Sequence, residues 1–223
     1  MLEDVYVAGV GMHPFGKHGK SNREMAYVAG KAALKDAGIK FRDVGALYNG
    51  YIMGDMTEGV AIAKDLGLTG VPVVHVENAS ATGSTAFREA CLRVASGQAD
   101  IAMALGFDDI VRMGQMMMQM FAAQGPRIES MVLPAAFFAM WAVRRTHEYG
   151  TSPDIYARIA AKNWNHARHN PMAQRQSDHE VTLEEVLASK PVAHPHTTMM
   201  ACATGGGAAC AIVTNKKWAK KLA

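Results

Sequence analysis

The chain has 223 residues, of which 49% are hydrophobic and 19% charged, with a formal net charge of +3. This balance allows one sizeable core or two small ones and excludes a disordered chain. The charge is too small for a nucleic-acid surface, since the basic residues are scattered apart from Lys216, Lys217, Lys220 and Lys221, read as the solvated face of a terminal helix.

The three cysteines, Cys91, Cys202 and Cys210, have neither paired ligand spacing nor a secretory context, so reduced thiols in a cytoplasmic protein are expected. No basic n-region precedes the first apolar run, and the longest apolar stretch, residues 131–143, is shorter than the roughly 20 residues of a bilayer span.

Residues 5–10 predict a buried strand, and Gly9, Gly11 and Gly16 a tightly turning loop after it. Ser21-Asn-Arg-Glu24 has the spacing of a capping box. The helix it opens carries Ala26, Ala29, Ala33, Leu34 and Ala37 on one face and stops at Gly38. Residues 46–53 read as a strand, Glu58–Leu66 as a short helix and residues 71–76 as a β-branched strand. A helix from Ser80 follows, apolar at Ala86, Phe87, Ala90, Cys91, Val94 and Ala95 and ended by Gly97, then a strand over residues 101–107. Such alternation predicts an α/β sheet with crossover helices on its faces.

Residues 108–134 break the alternation. They include RMGQMMMQM, five methionines between Met113 and Met120, whose flexible thioethers suit either an adaptable surface for an apolar partner or gap-filling in an irregular loop. A helix is predicted from about Pro134 to Glu148. Another has Ser152 as N-cap and Pro153 at its first position, with Ile155, Ile159, Ala160, Asn163 and Ala167 along one face. Thr182-Leu-Glu-Glu185 is a second capping box opening a helix to Ser189, residues 208–214 form a last buried strand, and the basic tail is helical.

His194 and His196 flank Pro195, but no third ligand lies close in sequence, so no metal site is expected. His166 and His169, near Lys162 and Arg168, read as a solvated helix face. Gly205-Gly206-Gly207 lacks the Lys-Ser or Lys-Thr of a phosphate loop and reads as a sharp turn into the last strand. Gly9-Val-Gly11 lacks the third glycine and acidic ribose ligand of a dinucleotide site.

Ser80 is the residue whose position carries chemistry, because there a strand gives way to a helix N-terminus. Amide N–H groups without intrahelical partners and the positive end of the helix dipole favour an anion at such a point. Serine is also a favoured N-cap, with Gly83 merely allowing close packing, and both readings stand on the residues alone.

The segment VENASATGSTAF resembles the nucleophile segment of the thiolase superfamily, in particular the sterol carrier protein-type (lipid-transfer-protein) thiolases, with the pattern V-E-x-x-C-A-S-G-S and Ser80 on the cysteine position. VYVAGVGMHPFGK resembles the family's first strand and Gly-rich turn. His147-Glu-Tyr-Gly150 followed by YARIAAKNWNHARHNPMAQ resembles its H-x-Y-G, K-N and N-P-x-A segment, and KPVAHP followed by GGGAACAIVTN resembles the stretch closing its first half.

The resemblance implies a thiolase-like N-terminal half over residues 1–223: a mixed, mostly parallel α/β sheet with helices on both faces and a loop and helical excursion at about 108–200. It implies an acyl-CoA substrate, coenzyme A being part of that substrate, and no tightly bound cofactor. The reaction implied makes or breaks a carbon–carbon bond, by acyl transfer or retro-aldol chemistry, in lipid or steroid-like CoA esters. The partner implied is a second copy, a separately encoded second half, or a zinc-ribbon/OB-fold chain.

The sequence departs from that family at Ser80, at Gly206, where an acidic residue is usual, and in having no counterpart of the second-half G-H-P and C-x-G strings. A serine hydroxyl is far less acidic than a thiol and needs an adjacent base, which the sequence does not identify. Three readings follow: a retro-aldolase-like enzyme whose acid–base residues lie in the second half, a non-catalytic half-thiolase that scaffolds a catalytic partner, and an ordinary thiolase in which serine has replaced cysteine. A lone half is expected to leave an apolar face uncovered, along Phe87, Cys91 and Val94.

Overall fold

The computed structural model describes residues 2–111 and 134–222. In chain order the first elements are β1 (Val5–Gly16), α1 (Asn22–Asp36), β2 (Ala46–Gly50), α2 (Glu58–Leu66), β3 (Val73–Val76), α3 (Thr82–Ala95) and β4 (Ile101–Asp109). Then come α4 (Pro134–Tyr149), α5 (Asp154–Ala167), α6 (Leu183–Ala188), β5 (Pro191–Ala193), β6 (His196–Thr197), β7 (Gly206–Asn215) and α7 (Lys216–Leu222). They form two compact units, one built from both ends of the sequence, up to Met113 and from Gly205 on, and one from the residues between.

The first unit holds a five-stranded sheet in the order β1-β7-β4-β2-β3. β2 is parallel to β3 and β4, and β7 is antiparallel to both β1 and β4, so β7 alone opposes the common direction. This is the mixed, mostly parallel α/β sheet expected from the sequence. α1 and α2 cover one face over Met25, Ala29, Ala33, Leu47, Ile62, Met103, Leu105 and Ile212. α3 covers the other, with Ala90 and Val94 packed on Ala46, Ala102, Ala104 and Val213.

The local reasons are legible. At the start of α1 the capping box forms in full: Ser21 Oγ accepts from Glu24 N, and the Glu24 carboxylate accepts from Ser21 N at 2.9 Å. The alanine stripe lets α1 settle onto β1, and the contact is closest at two glycines. A Cβ on Gly11 would stand 2.2 Å from Ala29 O, and one on Gly9 2.5 Å from Ala37 N. Their role therefore differs from the expected tight turn: β1 continues through Gly9, Gly11 and Gly16, with register shifts beside Gly9 and Gly16, and at Gly9 and Gly11 bareness is what the helix requires. Gly206 and Gly207 are likewise inside β7, where a Cβ on Gly207 would meet the Phe15 ring at 2.5 Å, so they serve close packing and not a turn.

The second unit packs Ala157, Ala160, Ala161, Val181 and Val186 together, flanked by Trp164, Leu183, Met199 and Met200. Asn165 substitutes for a missing backbone partner, donating from Nδ2 to Val181 O at 2.9 Å and accepting from Val181 N at 2.8 Å. α5 begins one residue later than expected, with Pro153 at the N-cap and Ser152 Oγ only 3.4 Å from Asp154 N. The second capping box is half made: Thr182 Oγ1 accepts from Glu185 N, but the Glu185 carboxylate turns to His179 Nε2 at 3.0 Å. The two-stranded β5–β6 sheet was not expected. The methionine run Met113–Met120 lies outside the described residues. Among the described residues no helix is long and apolar enough to cross a membrane.

Candidate active site

β3 ends at Val76, and the chain then makes a tight turn before α3 can begin. Asn78 has φ −155° and ψ 50°, outside the extended and helical regions, Ala79 takes a left-handed φ of 45°, and Ala79–Ala81 form a single 3-10 turn. Ser80 therefore sits in the turn, two residues before the first residue of α3, and is exposed. The N-cap position belongs to Ala81, whose methyl cannot cap, so Ser80 is not the N-cap.

Neighbouring hydroxyls hold the turn. The Thr82 hydroxyl, 5% exposed, accepts from Asn78 N at 2.9 Å and donates to Ala79 O at 2.6 Å. Asn78 Nδ2 donates to Thr85 Oγ1 at 3.1 Å, and Ser84 and Thr85 both donate to Ala81 O at 2.9 Å. The Glu77 carboxylate accepts from Ala79 N, fastening the left-handed residue from the other side. Such a conformation costs a non-glycine residue about 1–2 kcal/mol and persists only where its surroundings impose it. Ser80 is outside this network: among the described residues its Oγ has no hydrogen-bond partner.

The sheet fixes where the turn points. Gly50 ends β2 and pairs with Gly106 of the parallel strand β4, the last pair of that ladder, and the first turn of α3 lies directly on them. A Cβ on Gly50 would be 2.9 Å from Thr82 O, and one on Gly106 3.3 Å from Gly83 Cα. Ser80 is thereby presented at the carboxyl edge of the sheet, the edge where open α/β sheets place ligands.

Other side chains stiffen the same edge, and the sequence reading missed them. The Asp108 carboxylate accepts from Ile52 N at 2.7 Å and Met53 N at 3.2 Å, tying the segment after β2 to the end of β4. Tyr51 is stacked between His75, at 3.9 Å, and Phe107, at 4.9 Å. Burial first, and then the Glu58 carboxylate, push its phenol above the ordinary range. His75 Nε2 donates to Tyr51 O at 2.9 Å and is occupied there. His13 is buried, with Nδ1 donating to Pro14 O at 2.8 Å and Nε2 accepting from Lys20 Nζ at 3.2 Å. An ammonium can only donate, so the imidazole is the neutral Nδ1–H tautomer. Backbone carbonyls and amides supply most of these partnerships, and residue type carries no signal for them.

All three cysteines are free, as expected. Burial pushes the Cys91 and Cys210 thiols up, so neither replaces the missing thiolate. Among the described residues no three His, Cys, Asp or Glu side chains gather as metal ligands. His166, His169 and His194 are exposed, and His196 meets the Tyr156 ring edge-on at 5.8 Å.

The uncovered apolar face is only partly the one expected. Val94 is 1% exposed and Cys91 packs beside it, because α3 turns its Ala86, Ala90 and Val94 side onto the sheet. Phe87 is indeed outside, at 37% exposure. Bare apolar surface also lies on β1: Val7 pairs with Val213 and Val10 with Ala211, which places both on the α3 side of the sheet, where they are 55% and 59% exposed.

The thiolase N-terminal domain family matches residues 5–196 of this chain. Sterol carrier protein 2 of Gallus gallus is 36% identical over 237 residues, covering 99% of this chain and 43% of that protein. The benzoylsuccinyl-CoA thiolase subunit BbsB of Thauera aromatica is 34% identical over 223 residues, covering 98% of this chain and 57% of that protein. Among solved structures, an Ltp2-ChsH2(DUF35) aldolase matches in fold with a TM-score of 0.78 at 24% identity, over 99% of this chain and 58% of that one. The chain thus spans under half the length of its sterol carrier protein 2 relative.

Proposed function

The chain belongs to the thiolase family, and from that premise we propose that it binds acyl-CoA and takes part in breaking or forming a carbon–carbon bond in lipid or steroid-like CoA esters. The observation that carries the reading is a hydroxyl without an internal partner, presented at the mouth of α3 on the carboxyl edge of the sheet.

Two chemistries ask different things of that hydroxyl. In acyl transfer, Ser80 Oγ attacks the thioester carbonyl, the C–S bond breaks, and CoA leaves as the thiol with the serine proton. That route needs a base beside Oγ, and none among the described residues is bonded to it. Retro-aldol cleavage instead needs stabilisation of negative charge developing on the thioester oxygen as the enolate forms. A donated hydroxyl and the amides of a helix's first turn supply that without any base. Ser80 is accordingly assigned as a hydrogen-bond donor to the thioester oxygen, with the acid–base groups coming from outside residues 1–223. The bare side chains of Val7, Val10 and Phe87 support a covering second half or second copy.

The test mixes the protein, alone and with any co-purifying chain, with a 3-hydroxyacyl-CoA, and follows C–C cleavage alongside intact mass. Cleavage without a covalent adduct, reduced about a hundredfold in Ser80→Ala, is the expected result. Unchanged turnover in Ser80→Ala refutes the assignment, and an acyl adduct on Ser80 transfers it to acyl transfer. Absence of turnover in every pairing supports the second reading, a non-catalytic half-thiolase.

A further inference from the structure

We propose that the second unit carries a binding site of its own for a singly charged apolar carboxylate, built by Trp164, Arg175, His196 and Met199 and independent of Ser80. These residues line a cavity of about 550 Å³ formed wholly within that unit. Its size falls in the range of about 300–1,000 Å³ typical of small-molecule sites.

Three features make it a formed site. The Trp164 ring is fixed, with Nε1 donating to Met199 O at 3.0 Å. Arg175 lies over that ring, its guanidinium carbon 5.0 Å from the centroid. One terminal nitrogen of Arg175 is anchored by the carbonyls of Thr198, at 3.4 Å, and Ala201, at 3.2 Å. The guanidinium is thus held still by neutral groups only. Its Nε–H and other terminal nitrogen have no partner among the described residues, and no carboxylate pairs with it. The His196 imidazole, on the same cavity wall, also makes no hydrogen bond among the described residues, and burial holds it below the ordinary range, leaving it neutral with one donor and one acceptor.

The ligand class follows from what these groups lack. Arg175 is the sole charged side chain among the described lining residues, which matches a monoanion better than a phosphate ester. Its Nη1 and Nε–H donors remain free on separate edges of the guanidinium, since both two-nitrogen edges share the anchored Nη2, so a carboxylate is taken by a single charge-assisted hydrogen bond, and the unpaired charge against apolar walls makes that partner favourable. Ile159 and Met199, with Met200 beside them, offer a conforming apolar surface for the body of the molecule.

The experiment is calorimetric titration of the purified protein with 2-naphthoate and with uncharged 2-naphthalenemethanol. The acid should bind one to one with a Kd below about 1 mM, and the alcohol at least about tenfold more weakly. Arg175→Gln should reduce the acid to the level of the alcohol and leave the alcohol unchanged. Because Arg175 also holds two carbonyls, Ile159→Glu provides a second variant at a half-exposed position on the cavity wall, where the added charge should weaken the acid about tenfold with an unaltered circular dichroism spectrum. Failure of naphthoate to bind, equal affinity for acid and alcohol, or wild-type affinity in either variant overturns the proposal.

Discussion

Replacing Thr82 by valine keeps the shape of the side chain and removes its hydroxyl, which isolates what that group does for the Ser80 turn. The hydroxyl accepts from Asn78 N at 2.9 Å and donates to Ala79 O at 2.6 Å, at a site 5% exposed to solvent. Ala79 O also accepts from the Thr82 backbone N–H, so it keeps a partner in the variant, while Asn78 N–H is left with none. Asn78 is exposed and its bond to Thr82 part-buried, so the orphaned donor costs about 1 kcal/mol, the low end of the usual range, and the lost second bond about 0.5–1.5 kcal/mol in addition. A net loss of about 2 kcal/mol is expected for Thr82→Val. Thr82→Ser keeps both bonds and removes one methyl packed beside Gly50, at a cost of about 1 kcal/mol. Urea unfolding followed by far-UV circular dichroism ranks the two. If valine is tolerated as well as serine, the hydroxyl does not hold the turn. The same variant should lower any Ser80-dependent activity, because the Glu77 carboxylate is then left to hold Ala79 in its left-handed conformation from one side only.

Gly11→Ala should cost more than about 3 kcal/mol or prevent folding, since backbone atoms of α1 stand 2.2 and 2.3 Å from the new methyl, beyond ordinary overpacking. Gly38→Ala, with a φ of +67° and open space around it, should cost only about 1 kcal/mol; thermal melts that fail to separate the two refute the close-approach argument. His179 bonds first to Asp178 and then to Glu185, which raises its pKa, so its stabilisation is complete below the unfolded imidazole value of about 6.5 and is lost as pH rises through the higher folded value. Asp178 is lowered by the same contact, and its contribution is lost as pH falls through its folded value. NMR titration should show His179 titrating above a free imidazole and moving down in Glu185→Gln. Ellman's reagent should modify exposed Cys202 at once, Cys91 slowly, and buried Cys210 only after denaturation; fast labelling of more than one thiol in the folded protein contradicts the packing of α3 and β7.

Residue order alone determined the features whose causes are local. The capping box at Ser21, the helix over Glu58–Leu66, the β-branched strand before Ser80 and the glycines ending α1 and α3 each depend on neighbours a few positions away. The motif around Ser80 likewise pointed to the family and to a junction of strand and helix. Tertiary structure decided whatever depends on a partner distant in sequence. β7 enters between β1 and β4 from the far end of the chain and sets their register. α1 converts an apparent turn at Gly9 and Gly11 into a strand that must stay bare, and the sheet chooses which side of α3 is buried, hiding Val94 and leaving Phe87 outside. Even the second capping box was undone from elsewhere, by a histidine that claimed the Glu185 carboxylate. Periodicity and capping express the energetics of one turn or strand, whereas close approach, facing and hydrogen-bond competition exist only once distant segments share space.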